Sequence, residues 1–432
     1  MLGGQIGRRW FFALLAAVAV TALASAVPVS AAIVQRIAWG SEGAGAGQFY
    51  LPQGIATDSS GHVYVADTGN HRIEKFSASG DFLLAWGWGV RTGSSALETC
   101  RRSCQRGLAG AGDGQLNGPS GIVTNTSGHV YVADVGNDRI QKFSSRGRFL
   151  DKWGRTGSRK GRFRGPYGVA ADSAGHVYVA DFFNLRIQKF SSRGRFLDKW
   201  SASYPYDVAS HSDDRVYATD YYANRVEKFS SGGRFLLMWG WGVRNGENQF
   251  QRCGSPRAGC QAGTDGSGAG QFSAPQGIAT DPARHVYVAD SVNDRIEKFS
   301  GSGRYLTKWG STGPGEGQFD HPHDVATDAA RHVYVVDVIN ARIVKYAQIR
   351  PQTTITASRV RDARGRARFR FKSSEPGSSF RCRLDRRRIR RCDSPKVYRH
   401  LSGGRHSFKA QAIDLYKLRD PTPAKERFWI SK

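Results

Sequence analysis

A short pattern that recurs along this chain constrains its fold more than any other feature. The stretch "GHVYVADTGNHRIEKF" at residues 61–76 returns in five close copies: "GHVYVADVGNDRIQKF", "GHVYVADFFNLRIQKF", "DRVYATDYYANRVEKF", "RHVYVADSVNDRIEKF" and "RHVYVVDVINARIVKY". A catalytic constellation is needed once, whereas a unit that cannot bury its own hydrophobic face must be repeated until its neighbours cover it. The shared residues therefore indicate a structural unit, and we expect function where the copies differ.

Each copy contains strand-like pieces, which predicts an all-β fold. In the first copy these are "QGIATD", "HVYVAD", "HRIEKF" and "FLLAWG", separated by Gly, Ser and Asn turns. Alternating apolar residues, such as Val63 and Val65, are typical of strands. Four strands per unit, packed around an axis, form the blade of a β-propeller. The last copy lacks the "FLxxWG" piece, and residues 33–39 have its pattern, so we expect them to complete the last blade.

The lead-in "GAGQF..PQGIA.D" and the following "VYVAD..N.RI.KF" together resemble the NHL repeat family over about residues 33–349. The resemblance implies a six-bladed β-propeller with four-stranded blades. The pieces "SSEPGSSFRCRLD", "CDSPKVY" and "LSGGRHSFKAQAID" resemble a bacterial immunoglobulin-like module. The predicted organisation is a signal peptide at 1–31, a propeller at 32–350 and a small basic β-sandwich at 351–432.

The N-terminus and the cysteines both favour export. Arg8 and Arg9 precede an uncharged run and small-residue cleavage sites, as in a secretory signal peptide. A retained membrane anchor is the alternative. After cleavage we expect no stable membrane span and a secreted or envelope-associated protein. The six cysteines fall in three close pairs, which predicts local disulfides in an oxidising compartment: Cys100 with Cys104, Cys253 with Cys260, and Cys382 with Cys392.

Two neighbouring copies replace repeated positions with aromatic residues. Both positions, the start of the first strand and the turn after the second, are expected on the ligand-binding face. Exposed aromatic rings beside a groove bind sugar faces, peptides or bases; packing against one another is the alternative. The predicted ligand site comprises Tyr167, Phe182, Phe183, Tyr204, Tyr206, Asp207, Tyr221, Tyr222, His323 and Asp324.

Three histidines suggest a metal site on the same face. His71, His321 and His323 come from adjacent blades, and three histidines with a nearby carboxylate can hold zinc. The resemblance adds that some NHL-type propellers are zinc-holding lyases. No Gly-x-Ser-x-Gly, phosphate-binding loop or Cys–His pairing is present. We therefore predict no cofactor, with zinc or calcium at the channel as the alternative.

The C-terminal residues 351–432 are strongly basic. They hold 23 Lys and Arg against 7 Asp and Glu, a net charge of +16 in a chain of +27. In "RVRDARGRARFRFK" a cation falls at every second position from Arg364, so one strand face would be positively charged. Such a row attracts polyanions, although a solvated face is the alternative. The predicted polyanion-binding residues are Arg364, Arg366, Arg368, Arg370, Arg386, Arg387, Arg388, Arg390 and Arg391.

These features together predict an exported, non-enzymatic binding or scaffold protein. The propeller would bind an envelope glycan, peptide or protein, and the basic module would tether it to anionic envelope polymers. A metal-dependent lyase and a nucleic-acid-binding propeller are the alternatives.

Overall fold

The computed structural model describes residues 33–254, 259–348, 353–361, 364–373, 378–413, 419–420 and 422–431. The predicted signal peptide lies outside these residues. Within this part of the chain, no helix is both long and apolar enough to cross a bilayer. The chain divides into two compact units, one of which is Ala31–Arg350 and the other of which contains Pro351–Lys432.

The first unit consists of six antiparallel sheets, numbered here by chain order. Strand β1 (Ile33–Trp39) opens the chain. Sheet 1 contains β2 (Gly54–Thr57), β3 (Val63–Asp67), β4 (Arg72–Phe76), β5 (Phe82–Trp88) and β6 (Leu97–Cys100). Sheet 2 contains β7 (Pro119–Thr124), β8 (His129–Asp134), β9 (Arg139–Ser144) and β10 (Phe149–Trp153). Sheet 3 contains β11 (Pro166–Ala171), β12 (Val177–Asp181), β13 (Arg186–Phe190) and β14 (Phe196–Ser201).

The remaining sheets follow the same order. Sheet 4 contains β15 (Pro205–His211), β16 (Arg215–Asp220), β17 (Arg225–Ser230), β18 (Phe235–Trp241) and β19 (Phe250–Gly254). Sheet 5 contains β20 (Pro275–Thr280), β21 (His285–Asp290), β22 (Arg295–Ser300) and β23 (Tyr305–Trp309). Sheet 6 contains β24 (Pro322–Thr327), β25 (Val333–Asp337), β26 (Arg342–Gln348) and, beside β26, strand β1. Short 3-10 turns follow the second strand at Thr68–Asn70, Val135–Asn137, Phe182–Asn184 and Ser291–Asn293.

The edges of three sheets show how the chain departs from a simple repeat. Strand β1 pairs antiparallel with β26, from Ile33 opposite Gln348 to Trp39 opposite Ile343, so the N-terminal strand supplies the piece that the last copy lacks. Sheets 1 and 4 have five strands, whereas four were expected. The extra strands β6 and β19 belong to the cysteine-bearing inserts, which fold back onto β5 and β18. The predicted bonds Cys100–Cys104 and Cys253–Cys260 are present there.

The core lies between neighbouring sheets, which explains the repeated "VYVAD". Val63 and Val65 join a cluster with residues of sheet 6, whereas Tyr64 and Ala66 join a cluster with residues of sheet 2. Both faces of β3 are therefore buried, because sheet 1 packs face to face with a sheet on either side. This is why the second strand is apolar at successive positions.

The repeated Asp and Arg are structural, as the repetition predicted. Arg72 donates through Nε to Asp67, and its terminal nitrogens donate to carbonyls of the preceding loop, including that of Gly45. Asp67 also accepts the backbone N–H of Tyr50. The pair thus fastens the lead-in loop to the strand end. The equivalent pairs are Asp134–Arg139, Asp181–Arg186, Asp220–Arg225, Asp290–Arg295 and Asp337–Arg342.

Hydroxyl groups link the first strands of neighbouring sheets. The side chain at the last "QGIAT" position donates to the backbone carbonyl of the equivalent residue in the adjoining sheet. The links run from Thr57 to Thr327 (2.8 Å), Thr124 to Thr57 (2.7 Å), Ser210 to Ala171 (2.8 Å), Thr280 to Ser210 (2.9 Å) and Thr327 to Thr280 (2.8 Å). Sheet 3 has Ala171 at this position and cannot donate to sheet 2. The six first strands line one cavity of about 150 Å³.

The C-terminal unit contains two sheets. One has the order β27–β28–β31 and the other β30–β29–β32–β33. Side chains of both sheets share one core, in which the rings of Phe369 and Phe408 stack at 4.1 Å. The predicted Cys382–Cys392 bond joins β29 to β30. The immunoglobulin-like topology remains a prediction. The strands are β27 (Thr353–Arg361), β28 (Arg366–Ser373), β29 (Ser379–Leu384), β30 (Arg390–Cys392), β31 (Lys396–Tyr398), β32 (Gly404–Ile413) and β33 (Ala424–Ile430).

Candidate functional site

The seven aromatic residues predicted in sheets 3 and 4 come together in one cluster. Tyr167 at the start of β11 stacks on Tyr206 at the start of β15, with ring centroids 4.9 Å apart. Tyr206 also stacks on Tyr221, at 5.3 Å. Residues of the turns after β12 and β16 complete the cluster. Its members are Tyr167, Phe182, Phe183, Tyr204, Tyr206, Tyr221 and Tyr222.

The side chains of this cluster differ in solvent exposure, with a buried ring beneath three exposed ones. Phe182 is only 4% exposed and contacts most of the other rings, so it packs the cluster together and is not a ligand contact. The rim consists of Phe183, Tyr204 and Tyr222, which are 57%, 37% and 63% exposed. Tyr204 and Tyr222 meet edge to face at 4.8 Å. We call these three residues the aromatic rim.

Tyr206 has a different role from the one expected, because its ring is partly buried. Its hydroxyl lies 2.9 Å from Nε2 of His323, whose Nδ1 lies 2.9 Å from the backbone carbonyl oxygen of Gln53. Nδ1 therefore carries the proton and Nε2 accepts one from the Tyr206 hydroxyl. Burial lowers the pKa of His323 to about 4 and raises that of Tyr206, so both side chains are neutral. This chain of hydrogen bonds joins sheets 4, 6 and 1.

Asp207 and Asp324 tie neighbouring sheets together beside the cavity. They replace the glycine of "PxG", and each accepts a backbone N–H from the next sheet at 2.9 Å, from Ile278 and Ile55 respectively. Burial raises the pKa of Asp207 to about 7. Burial also raises the pKa of Asp324, and repulsion from Asp207 adds to the rise. The sequence predicted these residues as part of the ligand site because they replace a repeated glycine. In the structure, their carboxylates form hydrogen bonds between neighbouring sheets.

The structure does not bring the three predicted zinc ligands together. The ring nitrogens of His71 face the N–H of Gly118 and the guanidinium of Arg106, at 3.1 and 3.2 Å. Those of His323 have the partners given above. Among the described residues, the set whose ligand atoms lie within 4.8 Å of one another is Asp294, Asp320 and His321.

That set is explained by the fold of the turn. Asp294 accepts from the Thr312 hydroxyl at 2.6 Å and from the backbone N–H of His321 at 2.8 Å. In sheet 2, Asp138 accepts in the same way from the hydroxyl of Thr156 and the N–H of Gly165. The acid thus serves the turn in a copy that has no histidine. Nothing in this geometry requires a metal.

The predicted polyanion-binding residues fall into two places in the C-terminal unit. On β28, Arg366, Arg368 and Arg370 alternate with core residues and face away from them. Arg364 precedes this strand. Arg366 lies near Arg399, which with other arginines lowers its pKa. The second place is a turn and the short β30, which carry Arg386, Arg387, Arg388, Arg390 and Arg391.

Comparison with known proteins identifies the repeats. The NHL repeat model matches residues 49–76, 116–143, 163–190 and 272–299, which lie in sheets 1, 2, 3 and 5. Each match runs from the lead-in loop to the end of the third strand. The four matches and the separate sheets together support an NHL-repeat β-propeller.

The curated relatives match over short segments. A probable peptidyl-alpha-hydroxyglycine alpha-amidating lyase of Caenorhabditis elegans is 28% identical over 108 residues, covering 24% of this chain and 26% of the relative. NHL repeat-containing protein 3 of Mus musculus is 30% identical over 110 residues, with coverage of 24% and 26%. Protein brain tumor of Drosophila melanogaster is 29% identical over 126 residues, with coverage of 29% and 10%. This chain therefore spans about a quarter or less of these relatives.

Two solved structures are similar to this chain at low sequence identity. Virginiamycin B lyase from Staphylococcus aureus is 12% identical with a TM-score of 0.43, covering 71% of this chain and 98% of that one. An auxiliary nutrient binding protein from Bacteroides ovatus is 13% identical with a TM-score of 0.49, with coverage of 73% and 76%.

Proposed function

We propose that this protein is a non-enzymatic binding protein, exported from the cell, whose aromatic rim holds a glycan. The observation that carries the proposal is the set of three exposed rings, Phe183, Tyr204 and Tyr222, supported from below by Phe182. A rigid aromatic surface of this kind binds the apolar face of a sugar ring, at about 0.5–1.5 kcal/mol per ring. At the position of Phe183 and Tyr222, sheets 5 and 6 carry the aliphatic Val292 and Ile339.

The scaffold in this proposal is a closed, six-bladed propeller. Three features support it. The first strand of every sheet contacts that of the next, and β24 contacts β2. The hydroxyl links described above join the same neighbours, except sheets 2 and 3. Strand β1 pairs with β26. A closed ring covers both faces of every sheet, leaves only short outer strands as edges and would hold the rim rigidly.

A binding role fits the geometry better than the lyase chemistry named for some relatives. The histidines predicted to hold zinc have other hydrogen-bond partners, and His323 is kept neutral by burial. The acids beside the cavity accept backbone N–H groups. These histidine and aspartate side chains therefore form hydrogen bonds within the fold. The exposed rings of the aromatic rim have no such bonds within the described part of the chain and are the better place for a ligand.

The basic C-terminal unit completes the proposal as a tether to anionic envelope polymers. Its cations lie on turns and on the strand faces that point away from the hydrophobic core. Polyanions bind such surfaces by displacing counterions, so the tether would weaken with salt.

The rim is tested by Tyr222→Ala, with Val292→Ala as the matched control at the equivalent turn position of sheet 5. Binding of the full chain to an immobilised panel of cellopentaose, chitopentaose and mannopentaose is measured, together with the melting temperature. We expect Tyr222→Ala to weaken binding to the retained sugar roughly five- to tenfold, because a stacking ring is lost. Val292→Ala should bind as the wild type does. The rim has no binding role if both variants bind equally, or if Tyr222→Ala lowers the melting temperature by several degrees.

A further inference from the structure

The outer face of the sheet β30–β29–β32–β33 is basic across its whole width. Leu384, Phe408, Ala410 and Ile430 point into the core. Side chains alternate along a strand, so the residues between them face outward. The outward cations are Arg391 on β30, Arg381 and Arg383 on β29, Arg405 and Lys409 on β32, and Lys425 and Arg427 on β33.

One large apolar side chain lies among these cations. Trp429 is 57% exposed and stands directly opposite Arg405 in the strand register. Arg427 lies two residues before it on the same face, opposite Ser407. We call Trp429 and the outward cations the Trp429 face. Burying this ring against a partner would remove a large apolar surface from water.

The cations of this face are not used by the fold. In the described part of the chain, the ion pair at this sheet joins His406 to Asp385, at 2.8 Å, and none joins an outward cation to a carboxylate. Asp385 also accepts the N–H of Ser407, so its carboxylate serves the turn. The outward charges are therefore free to meet a polyanion.

We propose that the Trp429 face binds an anionic polysaccharide, with acidic groups on the cations and one sugar ring stacked on Trp429. The inference rests on the proposed tether and deepens it, because it names the surface and the polymer. A chain lying along β33 from Trp429 to Lys425 would extend over about 13 Å, so binding requires several sugar units.

Two observations favour an acidic glycan over a nucleic acid. Nucleic-acid-binding sheets stack successive bases on two or three aromatic side chains, whereas Trp429 is the one outward aromatic side chain among the described residues of these four strands. The sheet also contains the Cys382–Cys392 bond, which is typical of proteins outside the cytosol. Polymers met there include the acidic glycans of envelopes and matrices.

The test uses the full chain and three probes: dextran sulfate, linear polyphosphate and neutral dextran. We expect Trp429→Ala to weaken dextran sulfate binding roughly five- to tenfold at fixed salt, because the sugar loses its stacking ring. Trp429→Phe should retain most of the affinity. Polyphosphate has no ring, so its binding should be unchanged in both variants. Val360→Ala, an exposed apolar position on β27, is the matched control. Neutral dextran should not bind measurably.

The outcomes separate this inference from the tether itself. If the wild type binds neither polyanion at low salt, the tether is wrong and this inference fails with it. If both polyanions bind but Trp429→Ala changes neither, only the Trp429 face is overturned. An equal loss on both probes would indicate a structural role for Trp429 and overturn the proposal. Oligo(dT) that binds more tightly than dextran sulfate, and depends on Trp429 where dextran sulfate does not, would overturn it in favour of nucleic acid.

Discussion

The arginine repeated in the first unit and the strand arginines of the C-terminal unit are used in opposite ways. In the repeats, Arg72 is fully buried between Asp67 and Glu74, and the lysine three residues later, Lys75, lies over the ring of Tyr64. In the C-terminal unit, Arg359 stands opposite Arg368 and like charges repel across the strands. Paired, buried charge specifies the repeat fold, whereas unpaired, exposed charge costs stability and is available to partners. The abundance of arginine alone would not distinguish these roles.

Removing one arginine from each unit should give the largest contrast. Arg72→Ala leaves Asp67 and Glu74 buried without their cation, which costs about 3–5 kcal/mol of unfolding free energy. Arg383→Ala on the outer face should change it by less than about 0.5 kcal/mol. Urea denaturation measures both. Equal losses of unfolding free energy in the two variants would contradict the contrast between buried and exposed arginines.

A second contrast exists within the repeats, at the residue two after the arginine. In sheet 2, Gln141 accepts the N–H of Gly114 and donates to the carbonyl of Gln115 and to Asp134. In sheet 5, Glu297 accepts the N–H of Gly270, but its Oε2 is buried without a hydrogen-bond partner. A carboxylate cannot donate where the glutamine amide does. Burial, opposed by Arg295, raises the pKa of Glu297 to about 8.

Glu297→Gln should therefore stabilise the protein at alkaline pH. The folded state holds a proton that the unfolded chain releases near pH 4.5, so stability from this group falls as the pH rises from about 4.5 to about 8. Glutamine does not titrate and restores the missing donor. We expect a gain of about 1–3 kcal/mol at pH 8 and little gain at pH 4. Thermal melts over this pH range, with the exposed Glu42→Gln as control, test it; a gain independent of pH would contradict the titration.

The smallest effect is expected from giving the C-terminal unit a paired charge. Arg359→Glu places an acid opposite Arg368 and should add about 0.2–1 kcal/mol of stability at low salt. The control Thr356→Glu puts the same charge at an exposed residue in the bulge of β27, where it has no opposite residue. Unfolding is followed at low ionic strength and at 1 M salt, which should remove most of the gain. An equal gain in both variants would show that net charge matters and pairing does not.

Much of the fold could be predicted from the sequence because its units are repeated. The strands, the structural Asp and Arg, and the pairing of Ile33–Trp39 with the last copy follow from residues that serve the same purpose in every unit. The repeat pattern did not predict the fifth strands β6 and β19, because they lie in inserts that follow only the first and fourth copies.

The sequence predicted which residues form the site, but it did not predict how their side chains contact one another. The aromatic residues stood out, but the bond between Tyr206 and His323 joins positions 117 residues apart, so no local pattern could predict that Tyr206 would be partly buried. Trp429 was overlooked, although alternation in "AKERFWI" places it with Lys425 and Arg427 on one face. A run of arginines is visible in the sequence, whereas the residues that share one strand face are two positions apart.

The hydroxyl links between first strands bear on how neighbouring sheets are held together. The two ends of the first unit meet inside sheet 6, where β1 pairs with β26, and the chain continues from β1 into β2 of sheet 1. The first strands of sheets 6 and 1 have their link, from Thr57 to Thr327. The missing link is at Ala171, between sheets 2 and 3, in the middle of a continuous chain. Chain connectivity does not explain this difference, because the chain connects every pair of neighbouring sheets and the other pairs have the link. Sheets 2 and 3 instead meet through apolar packing, as between Ile140 and Val169, without a hydroxyl bond between their first strands.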